Sequence, residues 1–178
     1  MIERLIFQII QEGIDLLKTT PGLVTKIFLE DGILEKEEAE KIEALFLKEP
    51  PNVVHGYARE DNKFPLYAIT LGGESPGQAF LGDEGGFDPD TGEDEYAAIY
   101  NHTYTIMVYA QHPDVVLYLY HLLKAVMIAG YPVFKGEPAY LFDLRLSGAD
   151  MAPDAQWAPA GLFLRRVTFT CSQQYQQA

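Results

Sequence analysis

The densest group of side chains that could do chemistry is the carboxylate cluster GDEGGFDPDTGEDE at residues 82–95. Calcium loops of the EF-hand type need oxygen ligands at positions 1, 3 and 5, glycine at position 6 and glutamate at position 12. Counted from Asp88, Asp90 supplies position 3, but Gly92 falls at position 5 and Ile99 at position 12. The calcium pattern therefore fails. We expect a solvated hairpin loop here, with a surface cation as the alternative.

Other residues that could act in catalysis lack partners at a suitable spacing. LGGES at 71–75 lacks the second glycine of a nucleophile elbow, and LGGESPGQ lacks the Gly-Lys-Ser/Thr of a phosphate-binding loop. Cys171 is the single cysteine, which excludes an internal disulfide, and its alternating neighbours favour a buried strand position. No metal-ligand spacing relates the histidines, which are His55, His102, His112 and His121. We therefore predict no catalytic residue, no cofactor, no metal site and no enzymatic activity.

Composition and charge exclude further classes. The chain has 178 residues, 48% of them hydrophobic, and a formal net charge of −13. This length predicts a single domain over 1–178. The charge has the wrong sign for binding a phosphate backbone or an anionic membrane, and no apolar run reaches the roughly 18 residues of a spanning helix. The sequence predicts a protein made in the cytoplasm that binds neither nucleic acid specifically nor a membrane.

The first 50 residues have the pattern of a helical segment. Apolar residues from Ile2 to Leu17 fall on one stripe, which predicts a helix over 2–18 that Pro21 and Gly22 end. A second helix is predicted over 35–48, before Pro50-Pro51. The stretch LVTKIFLEDG between them mixes β-branched and charged residues and receives no assignment.

The remaining chain alternates between strand and helix patterns. Strands are predicted at 64–74, ending at two glycines, and at 96–111, 138–148 and 161–172. A helix over 113–129 follows the second strand, with proline in its first turn and Gly130 at its end. The acidic stretch 74–95 has room for a small strand or extended arm, and the tail after 172 is expected to fray.

Together these elements predict an α+β fold. We expect a four- to five-stranded, mostly antiparallel sheet covered by a long helix plus the N-terminal helices. The core comprises residues 60–172, and its centre is the strand-to-helix unit 102–126. The last two strands are expected to pair as a hairpin through the loop 148–160.

Three aromatic residues are candidates for contacts with a partner. Tyr118 and Tyr120 lie two apart on a predicted helix, so one covers the core and the other faces solvent or a partner. Phe87 and Trp157 are large side chains on otherwise polar loops, where such residues often anchor interfaces. We expect Phe87, Trp157 and Tyr120 at an interface. The alternative is that both loops are mobile in the free protein.

Several stretches of the sequence resemble one family of assembly proteins. A helical N-terminus precedes PLYAITL (65–71) and a glycine-rich acidic arm. HTYTIMVYA (102–110) then leads into HPDVVLYLYHLLKAVM (112–127), and LFLRRVTFTC (162–171) closes the chain. In element order and texture, residues 60–172 resemble the tail terminator, or tail-completion, proteins of tailed bacteriophages and the neck proteins related to them.

The resemblance implies a structural virion protein that forms a ring, with six subunits expected. The ring would stop polymerisation of the tail tube and join it to the head connector. Its partners would be other copies of this chain, the tail tube protein, the connector or neck protein and, in some tails, the sheath. It would lie in the tail or neck of the virion, and in the host cytoplasm during assembly. The alternatives are another neck or tail component, such as a head-completion stopper or tube-type subunit, and a bacterial enzyme or small-ligand binder.

A ring around a DNA passage must let a polyanion slide without sticking. Acidic side chains repel a duplex within a Debye length of about 8 Å at physiological salt. We therefore expect carboxylates to line or border the channel, either on the acidic face at 35–40 or among Asp83, Glu84, Asp88, Asp90, Glu93 and Asp94. The alternative is that these charges only keep an assembly component soluble.

Overall fold

A computed structural model describes residues 2–30, 32, 34–59, 61–77, 84–87, 94–150 and 161–177. The helices of these residues are α1 (Ile2–Thr19), α2 (Leu23–Glu30), α3 (Lys36–Lys48), α4 (Pro113–Ala129) and α5 (Tyr131–Lys135). The strands are β1 (Asn52–His55), β2 (Leu66–Pro76), β3 (Glu84–Phe87), β4 (Asp94–Ala110), β5 (Phe142–Asp150) and β6 (Phe163–Gln177). The fold class is α+β, as predicted.

The strands form one mixed sheet in the order β1-β2-β4-β6-β5, and the short β3 pairs beside β2 along the beginning of β4. Neighbouring strands are antiparallel except β1 and β2, which are parallel. The expected hairpin of the last two strands is present as β5 and β6. The sheet is mixed because of β1, a strand that the sequence did not predict. A four-residue strand is too short to show an alternating pattern.

The helices cover one face of the sheet. Buried residues of β2, β4 and β6 on this face, such as Tyr67, Ile106 and Phe169, form one apolar cluster with the buried stripes of α1 to α4. Within this cluster, the Tyr67 hydroxyl donates a 2.8 Å hydrogen bond to the Leu119 carbonyl of α4. Gly13 lets α1 approach α4, because a Cβ at this position would overlap the Val126 side chain.

The opposite face of the sheet has a smaller cover. Leu66, Ala68, Met107 and Tyr109 form a second buried cluster there. It is packed by partly buried residues of the loops and strand ends, which are Val54, Ala58, Phe64, Leu162 and Leu164. Strand β4 is therefore buried on both faces along its C-terminal half.

Several predicted strand limits differ from the structure, and three of the differences have a clear physical reason. Strand β2 continues past its two glycines to Pro76, with a register shift between Leu71 and Gly73 that absorbs the irregularity. Strand β6 continues through the predicted frayed tail to Gln177, because backbone pairing with β4 holds this polar segment. Strand β5 begins only at Phe142, since residues 137–139 form a turn after α5.

The unassigned stretch after α1 is the helix α2. Its N-terminal turn is held by Glu43 of α3, whose carboxylate accepts hydrogen bonds from the backbone N–H groups of Gly22 at 2.6 Å and Thr25 at 3.0 Å. The Thr25 hydroxyl donates to the same carboxylate. Partial burial raises the pKa of Glu43, but these hydrogen bonds lower it more, so the pKa lies below the usual 4.5. This contact between residues far apart in sequence stabilises a helix that the local pattern did not reveal.

We expect Glu43→Ala to lower the free energy of unfolding by about 1 kcal/mol at neutral pH, the usual cost of a lost helix cap. Glu40→Ala is the control, because its exposed pair with Lys36 at 3.7 Å contributes little. A lowered pKa means that the stabilisation is present above pH 4.5 and disappears as the pH falls through the folded-state pKa. Denaturant titrations at neutral and acidic pH measure both effects. Equal decreases in the free energy of unfolding for Glu43→Ala and Glu40→Ala would contradict the role of Glu43 as a helix cap.

The contact of α4 with the sheet predicts a larger effect. Leu119 is 4% exposed, and its side chain belongs to the main core cluster. We expect Leu119→Ala to destabilise the protein by about 2–5 kcal/mol because it leaves a cavity. Leu16→Ala, at a leucine that is 57% exposed, should change stability far less. Thermal and denaturant unfolding of both variants measures these stabilities. A Leu119→Ala protein that melts like wild type would contradict the assigned core face of α4.

Candidate interaction surface

The sheet is much longer than the helix that covers it. Strand β4 and helix α4 each have 17 residues. A strand rises about 3.4 Å per residue and a helix about 1.5 Å, so β4 spans about 58 Å and α4 about 26 Å. The core cluster includes β4 side chains from Tyr104 to Val108. The earlier half of β4 therefore extends beyond the core, together with the parts of β2 and β6 that pair with it.

This projecting part comprises 94–101 of β4, 172–177 of β6 and Ser75 and Pro76 of β2. We call it, together with residues 71–74 of β2 that lead into it beside Tyr104 to His102, the strand extension, which thus consists of 71–76, 94–101 and 172–177. Strand β6 follows β4 without a break along it, from the pair Asn101 and Ser172 to the pair Tyr96 and Gln177. On the other side of β4, β2 pairs as far as Pro76 with Tyr100. The rings of Tyr100 and Tyr175 meet edge to face, with centroids 5.5 Å apart. Backbone pairing and this aromatic contact hold the strand extension together.

The strand extension carries exposed apolar side chains and open strand edges. Leu71 is 51% exposed and Tyr175 is 46% exposed. Among the described residues, β1 pairs with β2 only as far as Ile69, and β5 pairs with β6 only as far as Ser172. The backbone of 71–76 and of 173–177 therefore has no described strand on its outer side. Open edges of this kind are templates for pairing with another chain.

A buried histidine lies at the base of the strand extension. His102 is 4% exposed, and its Nδ1 lies 3.8 Å from the Glu74 carboxylate. Its Nε2 is buried and has no hydrogen-bond partner in the part of the chain that the structure describes. The rings of Tyr104 and Tyr175 lie 6.3 Å and 6.2 Å from its ring. His102 thus joins the core to the aromatic side chains of the strand extension.

Cys171 pairs in register with His102, which raises the question of a catalytic dyad. Burial raises the pKa of the Cys171 thiol to about 12. The thiol is therefore protonated at neutral pH and lacks the nucleophilic thiolate form. Within the described residues, no group of three His, Cys, Asp or Glu side chains could hold a metal ion. The surroundings of His102 and Cys171 favour a packing role.

A cavity of about 460 Å³ opens beside the strand extension, and Phe142, Arg145 and Thr170 are among the residues that line it. Asn101 and Ser172 also line it, and the Ser172 hydroxyl donates a 2.7 Å hydrogen bond to the Asn101 side-chain oxygen. Its uncharged polar groups are three hydroxyls, the Asn101 amide and the His102 imidazole, and its charged groups among the described residues are Arg145 and Asp143. This polar lining is typical of a solvated protein surface, whereas pockets for small ligands are mostly apolar.

Tyr120 is the one predicted contact residue whose side chain the structure describes. It is partly buried, and its hydroxyl lies where a Cβ on residue 148 would stand, so Gly148 is needed there. Lys124 and Arg165 lie 5.5 Å and 5.3 Å from its ring centroid. Tyr120 therefore packs within the chain, and its contact with a partner stays a prediction.

The other predicted residues are placed only in part. Glu84 and Phe87 belong to β3, and Asp94 begins β4, so the expected small strand in the acidic stretch exists. The side chains of these three residues lie outside the described part of the structure. So do five further residues, namely Asp83, Asp88, Asp90, Glu93 and Trp157. The strand extension depends on pairing between distant segments and therefore has no local signal in the sequence.

No protein-family model and no curated protein matches this chain. Among the described residues, no helix is long and apolar enough to cross a membrane.

The protonated state of Cys171 predicts its reactivity. We expect a thiol-specific alkylating reagent at about pH 8 to leave the folded protein unmodified, because burial removes both access and thiolate. The same reagent should label the protein fully in denaturant. Mass spectrometry of both samples measures the difference, and rapid labelling of the folded protein would show that Cys171 is a reactive thiol.

Proposed function

We propose that this protein is a structural virion protein of a tailed bacteriophage, a tail terminator that forms a ring at the head-proximal end of the tail tube. The strand extension is the observation that carries the proposal. It has open strand edges and exposed apolar side chains at the limit of the helical core, where Leu71 pairs with Tyr104, and beyond it, where Tyr175 pairs with Ala98, which suits a subunit that assembles through its sheet. The patterns of residues 60–172 that resemble tail terminators support the same function.

Ring formation needs two different surfaces on each subunit that fit one another. A head-to-tail contact closes into a ring when the rotation between neighbours permits it. The sheet offers two such surfaces, because its order begins with β1 and ends with β5. In the strand extension the corresponding outer edges are 71–76 of β2 and 173–177 of β6. We propose that one edge of each subunit meets the other edge of its neighbour, with six subunits in the ring.

The proposed partners follow from this role. The ring would contact the tail tube protein on one side and the connector or neck protein on the other, with the sheath as a further partner in tails that have one. We assign the channel-lining role to the carboxylates of 83–95 rather than to those of 35–40. The α3 carboxylates border an apolar groove between α3 and α4. Such a groove serves no purpose on a surface past which DNA slides. The protein would reside in the virion after assembly in the host cytoplasm.

The mass of the purified protein in solution tests ring formation. We expect sedimentation and native mass spectrometry to find a closed oligomer, with six subunits as the expected number. Leu71→Lys and Tyr175→Lys should shift the protein toward monomer, because each places a charge on an exposed apolar position of the strand extension. Leu47→Lys is the matched control, since Leu47 is 46% exposed on α3. A strict monomer at all concentrations would contradict the function. An oligomer that Leu47→Lys disrupts, but that Leu71→Lys and Tyr175→Lys leave intact, would contradict the placement of the contact on the strand extension.

A further inference from the structure

A groove of about 710 Å³ runs between α3 and α4 on the helical side of the molecule. Its floor is apolar and contains Ile42 and Leu45 of α3 with Val115 and Tyr118 of α4. The same four side chains continue into an adjoining small apolar cavity that ends at Glu49. Leu45 is 51% exposed in this floor. The protein thus leaves a large apolar side chain uncovered inside a concave surface.

The rim of the groove is strongly acidic. Glu35, Glu37, Glu38 and Asp114 surround one end, where the N-termini of α3 and α4 lie, and Glu49 lies at the other end. Within the part of the chain that the structure describes, Lys41 is the one lysine or arginine that lines it. The Tyr118 hydroxyl donates to the Glu38 carboxylate, and burial together with the nearby carboxylates raises the pKa of Tyr118. An apolar floor with such a rim is complementary to an apolar segment that carries cations.

Neither the described helices nor the residues outside the described ranges offer this groove a helix with an apolar face and several cations beside it. The residues outside the described ranges contain no lysine or arginine, so they offer no charge to this rim. The lysines of the helices mostly pair with carboxylates within one turn, as Lys18 does with Asp15, Lys26 with Glu30 and Lys36 with Glu40. Among the described helices, a second copy therefore presents no apolar stripe flanked by several free cations.

We propose that the α3–α4 groove binds an amphipathic helix of a different protein, one with apolar residues on one face and lysines or arginines beside them. Helix α3 has 13 residues and spans about 20 Å, so the groove accommodates about three turns of a bound helix. Apolar residues at positions i, i+4 and i+7 of that helix would contact Leu45 and Ile42. The flanking cations would meet Glu35, Glu37 and Asp114. The inference does not depend on the proposed function, because it uses only this groove and its charges.

A synthetic peptide of about 14 residues tests the groove directly. The probe contains only leucine and lysine, with the leucines at helical spacing and a fluorescent label at one end. A second peptide has the same composition in an order that gives no apolar face. We expect the amphipathic peptide to bind the whole protein at one site per chain, with an affinity that falls as salt rises. Equal binding of the two peptides would overturn the proposal, because charge alone would then explain it.

Two variants locate the site. Leu45→Asp should weaken peptide binding about tenfold or more, as loss of a central apolar anchor does. Glu37→Lys, at an exposed rim position, should weaken it by a smaller factor and flatten the salt dependence. Leu16→Asp is the matched control, because Leu16 is 57% exposed and lines a separate apolar groove between α1 and α4. A loss of binding with Leu16→Asp but not with Leu45→Asp would overturn the assignment.

The same variants distinguish the amphipathic helix of another protein from a second copy of this chain as the occupant of the groove. If Leu45→Asp abolishes self-association of the protein, and unlabelled wild-type protein displaces the peptide, the occupant is a second copy and the proposal is overturned. If Leu45→Asp fails to fold, as judged by thermal unfolding, the Glu37→Lys result decides. Unchanged binding and an unchanged salt dependence in that variant would overturn the proposal.

Discussion

The pairing of β4 with β2 on one side and β6 on the other is the interaction on which the rest of the structure depends. Along its C-terminal half, β4 is buried on both faces. Ile106 and Val108 pack under the helices, and Met107 and Tyr109 belong to the buried cluster on the opposite face. The helices are too short to cover the other half. That half is held by backbone hydrogen bonds and by the contact of Tyr100 with Tyr175. A protein that leaves half of its central strand beyond its core retains surface for another chain to cover.

The two candidate surfaces lie in different parts of the fold and differ in chemistry. The strand extension offers backbone edges and exposed side chains such as Leu71, which suit pairing between copies of one chain. The α3–α4 groove combines exposed Leu45 with a rim of carboxylates, which suits a cationic partner of another kind. A net charge of −13 keeps copies apart unless specific contacts bring them together. We therefore propose self-assembly through the sheet and recruitment of a second protein through the helices.

The sequence predicted the elements whose signals are local. Pro113 and Gly130 mark the limits of α4, and the apolar face before Pro50-Pro51 predicted α3. Helix α2 was missed because its stabilising contact comes from Glu43, 21 residues beyond Gly22. The continuations of β2 and β6 were missed because glycines and a polar tail suggest strand ends, whereas pairing with β4 extends both strands. The strand extension follows from these same distant pairings, so composition and periodicity could not predict it.

The location of the protein in a phage particle tests the central claim most directly. Tail tubes assembled in its presence, with the protein carrying a gold or fluorescent label at its N-terminus, can be imaged by electron microscopy. The account predicts a single ring of label at one end of each tube, the end that joins the head, and tubes of uncontrolled length when the protein is omitted. Label along the whole tube, or no label on tubes at all, would contradict the assignment as a tail terminator.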